Sequence, residues 1–197
     1  MNEVLKGAFE RARAAFIPVC DNECAALLEE LCRRIKPRRV LEIGTAVGCS
    51  SSVMALACDC ELDTVDVDGA RIEEAHKLWR DLGIEGRIHA YLGDVRQLLF
   101  RITEGKKYGI VFIDGPKSAY KSIFLHAAEH LEEGGVIISD DVGYLGLVKG
   151  NGYPPHKHRT IVYNMRSYLE YISQPPYETK IMWDKGGGIA VTEVKEV

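Results

Sequence analysis

Apolar residues recur every three or four positions near the start of the chain, which is the spacing of amphipathic helices. One stripe predicts a helix over residues 3–15, and a second follows Asp21, whose side chain suits a helix start. The break between them, residues 16–20, is apolar and contains Pro18. Because exposed linkers are usually polar, we expect this segment to pack over another part of the protein.

After Pro37 the pattern changes to short apolar runs that alternate with helical stripes. The runs predict strands at residues 40–43, 62–66, 88–91, 108–113 and 135–139, with helices at 50–58, 70–82, 95–102 and 118–131. Nearly all-apolar strands in this alternation predict a parallel sheet covered by helices on both faces. A helix over 158–172 and two alternating strands, 177–183 and 189–194, complete the pattern. We therefore expect an α/β fold, a doubly wound sheet with a C-terminal antiparallel hairpin and N-terminal helices.

The composition fits one domain with a buried core, because the chain has 197 residues and 46% of them are hydrophobic. The net charge of −4 argues against binding nucleic acid through bulk charge, although a local basic patch remains compatible with it. No apolar run is long enough to span a membrane and the N-terminus lacks a secretory signal, so we expect a cytoplasmic protein. The six cysteines form no C-x-x-C pair, and we expect free thiols.

A glycine-containing turn follows the first predicted strand, in the run Glu42-Ile43-Gly44-Thr45-Ala46-Val47-Gly48-Cys49-Ser50. It is neither a dinucleotide nor a phosphate-loop motif, and by itself it is also compatible with a simple tight turn. The next two strands end in Asp66 and in Gly93-Asp94, so three acids that include Glu42 line one edge of the sheet. This set favours an adenosine-containing ligand without a pyrophosphate, although Asp94 is also placed to cap the following helix.

Three further carboxylates follow the fourth and fifth strands, namely Asp114 and the adjacent pair Asp140 and Asp141. They could cap helices, but like charges this close together are costly without a cation, so we predict a metal site. Lys117 lies three residues after Asp114 and is a candidate catalytic base. The alternative for Lys117 is an ordinary solvated lysine at the start of a helix.

These motifs resemble class I S-adenosylmethionine-dependent, metal-dependent O-methyltransferases of the catechol and caffeoyl-CoA type, from about Arg11 to Val194. The resemblance rests on the glycine turn, on Asp114-x-x-Lys117-x-x-Tyr120 and on Ile138-Ser139-Asp140-Asp141-Val142. It implies a seven-stranded, Rossmann-like methyltransferase sheet. The implied cofactor-binding residues are Cys20, Glu42, Gly44, Thr45, Ser50, Asp66, Gly93, Asp94 and Asp114.

The same resemblance implies that Asp114, Asp140 and Asp141 bind Mg²⁺ or Mn²⁺, and that Lys117 and Asp114 take part in catalysis. Asp141 stands where most members of the family carry asparagine. Residues 1–37 are then expected to be helices that cover the cofactor site, and residues 38–197 the methyltransferase domain. A homodimer is also implied.

Within this family the chain is most similar to bacterial tRNA methyltransferases that convert 5-hydroxyuridine at the wobble position to 5-methoxyuridine. The likeness lies in Ile17-Pro18-Val19-Cys20, in residues 144–148 and in the hairpin, where Trp183 and Gly187 depart from the pattern. It places Cys20 over the cofactor. Four basic side chains could then hold the anticodon arm, namely Lys149, Lys157, Arg159 and Arg166. The same residues also fit a solvated helix face.

Three other functions compete with the tRNA enzyme. The same chemistry could act on a small catechol-like vicinal diol, which needs no basic surface. A nucleotide-binding scaffold without catalysis would not need the intact set of acids. A dehydrogenase is disfavoured because Ala46 replaces the second glycine of the dinucleotide motif.

Overall fold

A computed structural model describes residues 2–150 and 152–195 of the chain. Two helices come first, α1 (Glu3–Ala14) and α2 (Asn22–Ile35). Strands and helices then alternate, as β1 (Arg39–Ile43), α3 (Cys49–Ala57), β2 (Glu61–Asp66), α4 (Gly69–Asp81), β3 (Ile88–Leu92), α5 (Val95–Thr103), β4 (Tyr108–Ile113), α6 (Tyr120–Glu129) and β5 (Leu131–Ser139). The last elements are α7 (Arg159–Ile172), β6 (Tyr177–Met182) and β7 (Ile189–Val194).

In the described residues, seven strands form one sheet in the order β3-β2-β1-β4-β5-β7-β6. The first five strands pair in parallel, and β7 runs antiparallel to both β5 and β6. The predicted α/β fold with its C-terminal hairpin and N-terminal helices is therefore confirmed. Since the strand order reverses beside β1, a crevice opens at the carboxyl ends of β1 and β4.

Alternating side chains of the buried strands divide the core between the two faces of the sheet. Val40, Ile110 and Phe112 pack with apolar side chains of α1 to α4, whereas Leu41 and Ile113 pack with those of α5 to α7. Successive residues of a strand point to opposite faces, so an all-apolar strand is expected where both faces are covered. Helices α1 and α2 share the first of these cores with the sheet.

The fifth strand begins earlier than its apolar run predicts. The predicted helix over 118–131 is instead a 3₁₀ turn, Lys117–Ala119, followed by α6, and Leu131 already pairs with Tyr108. The register then shifts before Ile110 pairs with Val136. Two glycines, at 134 and 135, interrupt the apolar pattern there, so pairing across the irregularity is not visible in the sequence.

The apolar linker between α1 and α2 only partly packs as expected. Cys20 is buried and Ile17 and Val19 contact the core, whereas Phe16 is 94% exposed in a left-handed conformation. The described cysteines are all free thiols, as predicted. In the part of the chain that the structure describes, no helix is long and apolar enough to cross a membrane.

Candidate active site

A cleft of about 330 Å³ lies along the carboxyl ends of β1 to β4. Its walls include Gly44 after β1, Asp66 at the end of β2, Gly93 and Asp94 after β3, and Asp114 after β4. The fold thus brings together, at one edge of the sheet, five of the residues that the sequence predicts for cofactor binding. Ligands of open α/β sheets bind at this edge.

Gly44 is required by the close approach of two backbones. It has φ of +104°, and a Cβ atom there would lie 2.3 Å from the carbonyl oxygen of Asp114. The Asp114 N–H donates to the carbonyl of Ile43 at 2.9 Å, which joins the ends of β1 and β4. Any side chain at Gly44 would therefore push these two strand ends apart.

The predicted residues Glu42, Thr45 and Ser50 form a buried network beneath the turn. Ser50 Oγ and Thr64 Oγ1 donate to the two carboxylate oxygens of Glu42 at 2.5 and 2.7 Å, and the hydroxyls of Thr64 and Thr45 lie 2.7 Å apart. Burial raises the pKa of Glu42 to about 7, although these hydrogen bonds oppose the shift. The network positions the glycine turn, because the Ser50 hydroxyl is directed to Glu42 and the Thr45 hydroxyl to Thr64.

Asp66 and Asp94 both line the cleft and both bind backbone N–H groups. Asp66 accepts hydrogen bonds from Ala46 N at 2.8 Å and Asp68 N at 3.0 Å, and so ties the glycine turn to β2. Asp94 caps α5 through Arg96 N and forms an ion pair with the Arg96 guanidinium, which lowers the pKa of Asp94. Arg96 also lines the cleft, but it was not predicted as a site residue. Its only signal in the sequence is that it is a basic residue two positions after an acid.

The three predicted metal-binding carboxylates lie beside this cleft, and a lysine lies among them. Lys117 Nζ is 3.8 Å from a carboxylate oxygen of Asp114 and 3.4 Å from one of Asp141. Asp140 is 5% exposed and accepts a hydrogen bond from Asp141 N at 2.8 Å. Burial, and then the charge of Asp114, raise the pKa of Asp140 to about 7, and burial also raises the pKa of Asp114.

Lys117 is held by uncharged partners as well. Its ammonium donates to Tyr120 Oη at 2.8 Å and to the carbonyl of Asp140 at 3.1 Å. Tyr120 Oη in turn donates to the carbonyls of Asp140 and Ile113 at 2.8 and 3.2 Å. Tyr120 thereby fixes the lysine between the ends of β4 and β5, a role that the sequence analysis did not assign to it.

The chemistry of this carboxylate group fits a hard divalent cation, because Mg²⁺ and Mn²⁺ prefer oxygen ligands. The pKa values of Asp114 and Asp140 are raised chiefly by burial, and secondarily by neighbouring carboxylates, Asp141 for Asp114 and Asp114 for Asp140. Within residues 2–150 and 152–195, however, no three His, Cys, Asp or Glu side chains are placed to hold one ion together. In this arrangement the Lys117 ammonium supplies the positive charge between Asp114 and Asp141.

The N-terminal segment and the hairpin both approach the carboxylates. The pKa of the Cys24 thiol, at the start of α2, is raised by its hydrogen bond with Cys20 and by burial, and then by the charges of Asp140 and Asp114. Across the site, the Gly187 carbonyl accepts a hydrogen bond from Gly143 N at 2.8 Å. A Cβ atom at position 187 would lie 2.7 Å from Asp141 Oδ1, so glycine fits this departure from the family pattern.

The four predicted basic contacts do not form one group. Lys149, Lys157 and Arg159 are exposed, and Lys149 Nζ lies 5.8 Å from the centre of the Trp183 ring. Arg166 instead donates to the carbonyls of Leu147, Val148, Gly150 and Gly152. Its guanidinium is therefore occupied in holding the loop after the carboxylates.

Comparison with known proteins gives a consistent family assignment. The model of a family described as O-methyltransferase matches residues 2–193. A caffeoyl-CoA O-methyltransferase of Stellaria longipes is 27% identical over 128 residues, which cover 62% of this chain and 53% of that enzyme. The chain therefore spans about half the length of this curated relative.

Solved structures share the whole fold. A Staphylococcus aureus protein whose crystal structure bears the name of a caffeoyl-CoA O-methyltransferase is 27% identical, with a TM-score of 0.88 over 99% of this chain and 93% of that one. The O-methyltransferase TomG of Streptomyces achromogenes, solved in complex with S-adenosylmethionine, is 23% identical, with a TM-score of 0.87 over 100% of this chain and 91% of that one.

Proposed function

Because the chain belongs to the O-methyltransferase family, we propose that it transfers the methyl group of S-adenosylmethionine to a hydroxyl oxygen. The family expected from the sequence is thereby confirmed, whereas the closer likeness to tRNA methyltransferases stays a prediction. One observation carries the proposal: Asp114 lines the cleft with one side and pairs with Lys117 on the other. A methyl donor in the cleft and an acceptor at the carboxylates would meet at this residue.

Asp114, Asp140 and Asp141 would hold Mg²⁺ or Mn²⁺ only after their side chains turn towards one another, because in the described residues they do not form a common site and Lys117 lies between Asp114 and Asp141. Such an ion would orient two vicinal substrate oxygens and lower the pKa of the hydroxyl. Tyr120 Oη and the Asp140 carbonyl hold the Lys117 nitrogen beside the carboxylates. After its ammonium has released a proton to solvent, the Lys117 amine would be the group of this chain that is placed to receive the hydroxyl proton, and the acceleration would come chiefly from positioning.

The acceptor that we propose is 5-hydroxyuridine at the tRNA wobble position, whose O4 and 5-hydroxyl are vicinal. Lys149, Lys157 and Arg159 are exposed in the loop and helix that follow the carboxylates, where they can contact phosphates. Tyr153, in the same loop, is 91% exposed and offers a ring on which a base can stack. A small vicinal diol is the alternative acceptor, and it would use none of these exposed side chains.

Methyl transfer from labelled S-adenosylmethionine to tRNA carrying 5-hydroxyuridine, and to free catechol, separates the two acceptors. We expect the tRNA to be methylated, with a rate that falls as salt rises. The double variant Lys157→Ala/Arg159→Ala should weaken tRNA binding and reduce its salt slope by about one unit for each lost phosphate contact. Brisk methylation of catechol with unchanged tRNA kinetics in that variant would favour the small diol. No transfer to either acceptor would contradict the methyltransferase proposal.

We also propose a homodimer. Strand β6 is an edge of the sheet, and beside it a groove against α2 is lined mostly by charged side chains, with Leu27, Leu31 and Met182 among them. Unpaired edge strands are surfaces that proteins commonly cover. Sedimentation of the purified protein should show a dimer, and the exposed variant Lys180→Glu in β6 should shift it towards monomer.

A further inference from the structure

Three of the six cysteines meet at the end of the molecule opposite the cleft, near the start of β1. Cys32 comes from the last turn of α2, Cys58 caps the end of α3, and Cys60 precedes β2. The thiols of Cys32 and Cys60 lie against the Cys58 sulfur. Cys32 and Cys60 are buried, whereas Cys58 is half-buried, so a reagent in solution reaches Cys58 first.

A surface cleft of about 470 Å³ opens onto Cys58, and it is lined by basic side chains. Arg33 and Lys36 lie on its wall together with Cys58 and Asp59. Behind the thiol, the Arg87 guanidinium donates to the carbonyls of Cys58 and Cys60, both at 3.1 Å. Arg87 thus places a cation beside the accessible sulfur; Arg87 also lies 3.7 Å from Asp59, and Arg33 is paired with Glu29 at 2.7 Å.

The neighbours of Cys58 favour its thiolate. Hydrogen bonds from Cys32 and Cys60 and the charge of Arg87 lower the pKa of the Cys58 thiol, although burial opposes the shift. As a thiol, Cys58 donates to the Met54 carbonyl at 3.5 Å, a hydrogen bond that the thiolate gives up. The thiolate is the nucleophilic form of cysteine, and an accessible thiolate beside a second thiol is the usual arrangement of redox-sensitive cysteines.

We propose that Cys58 is a peroxide-reactive thiol and that Cys32 resolves its oxidised form into a disulfide between α2 and α3. The Cys58 thiolate attacks one oxygen of hydrogen peroxide, the O–O bond breaks, and hydroxide leaves and takes up a proton to become water. Cys58 is then a sulfenic acid. The Cys32 sulfur, after losing its proton, attacks the Cys58 sulfur, the S–S bond forms and water leaves. Two thiols and one peroxide thus yield one disulfide and two waters.

Cys32 is a better resolving residue than Cys60. Cys60 is only two residues from Cys58, so a disulfide between them closes a very small ring, whereas Cys32 is on a different helix that packs against α3. The hydrogen bond to Cys58 is the largest cause of the raised pKa of Cys32, with burial second.

The test treats the full-length protein with hydrogen peroxide, blocks the remaining thiols, and maps linked peptides by mass spectrometry without reduction. Cleavage at acidic residues suits this sequence, because Asp59 separates Cys58 from Cys60, and Glu29 and Glu30 separate Cys24 from Cys32. We expect a single linked pair, Cys32–Cys58, and modification of Cys58 at least about tenfold faster than of the other cysteines.

Variants locate the two steps. Cys58→Ser should abolish the link, whereas Cys49→Ser, which removes a buried thiol outside the group, should leave it unchanged. In Cys32→Ala a dimedone adduct should accumulate on Cys58, and binding of S-adenosylmethionine by calorimetry verifies that each variant is folded. A Cys58–Cys60 link would refute the role of Cys32, and oxidation of Cys58→Ser at the wild-type rate would refute the proposal. If Cys32→Ala does not fold, the linked pair and the dimedone adduct in the wild type decide alone.

Discussion

Replacing Gly44 by alanine tests whether the glycine turn is dictated by backbone contact. The new Cβ atom would lie 2.3 Å from the carbonyl oxygen of Asp114, and 3.1 Å from its carbonyl carbon, in a backbone with φ of +104°. A left-handed conformation costs a non-glycine residue about 1–2 kcal/mol. Overpacking against atoms that cannot move easily adds about 1–3 kcal/mol. We therefore expect Gly44→Ala to lower the free energy of unfolding by roughly 2–5 kcal/mol.

Two other glycines separate the contributions of strain and contact. Gly83 has φ of +70°, and a Cβ atom there would meet nothing within 4 Å, so Gly83→Ala should cost about 1–2 kcal/mol from strain alone. Gly86 has neither strain nor a close neighbour, and Gly86→Ala should stay within about 0.5 kcal/mol of the wild type. Because 1 kcal/mol shifts Tm by about 2–4 °C in a domain of this size, thermal unfolding should resolve the three variants.

The functional consequence follows from the same contact. If Asp114 is pushed away from β1, the cleft and the carboxylates lose their common wall, so Gly44→Ala should also weaken binding of S-adenosylmethionine, whereas Gly83→Ala should not. Calorimetry of each variant measures this binding below its unfolding temperature. Equal losses of stability in Gly44→Ala and Gly83→Ala, with unchanged cofactor affinity in both, would refute the argument from backbone contact.

Three more predictions use single side chains. Arg166→Met removes the hydrogen bonds that hold the loop after the carboxylates and should cost about 1–3 kcal/mol in chemical denaturation, whereas exposed Arg159→Met should cost less than about 0.5 kcal/mol. The pKa of Glu42 is raised from 4.5 to about 7, so folding at a pH between these values takes up a proton. As the pH rises from 4.5 through 7, the free energy of unfolding of the wild type should therefore fall by up to about 3 kcal/mol relative to that of Glu42→Gln. A pH-independent difference between the two proteins would contradict this. EDTA and Asp140→Ala should each abolish methyl transfer, and Mg²⁺ or Mn²⁺ should restore the EDTA-treated enzyme. Asp141→Asn should stay active with weaker Mg²⁺ affinity. Full activity in EDTA would contradict the metal site.

The sequence predicted the sheet and its ligand edge because both depend on local patterns. Apolar runs of β1 and β4 show that both faces are covered, and acids that directly follow strands must lie at their carboxyl ends. The predicted start of β5 was wrong because Leu131 joins the sheet by pairing with Tyr108. These two residues are too far apart in the sequence for any short window of residues to contain both. Strand pairing of this kind is decided by tertiary context.

Side-chain roles were harder to predict where the partner is distant in sequence or is a backbone carbonyl. Arg166 looked like an exposed base, but its partners are carbonyls 14 to 19 residues earlier, which carry no sequence signal. Ser50 was expected to face the cofactor, yet its hydroxyl is directed to Glu42 in the buried network. Asp94 lines the cleft and also caps α5, so its capping role is confirmed, whereas its contact with a cofactor stays a prediction.

The net charge of −4 conceals two ends of opposite character, and this difference decides which chemistry each end supports. Asp66, Asp114 and Asp140 lie at the carboxyl ends of the strands, where negative charge favours a positively charged ligand such as a sulfonium. Arg33 and Arg87 lie at the opposite end, beside Cys58, where we proposed a reactive thiolate. Parallel strands present all their carboxyl ends on one side of the sheet, so the fold keeps the site for positively charged ligands apart from the site of the reactive anion. Oxidation of Cys58 should therefore leave the carboxylates at the cleft unchanged.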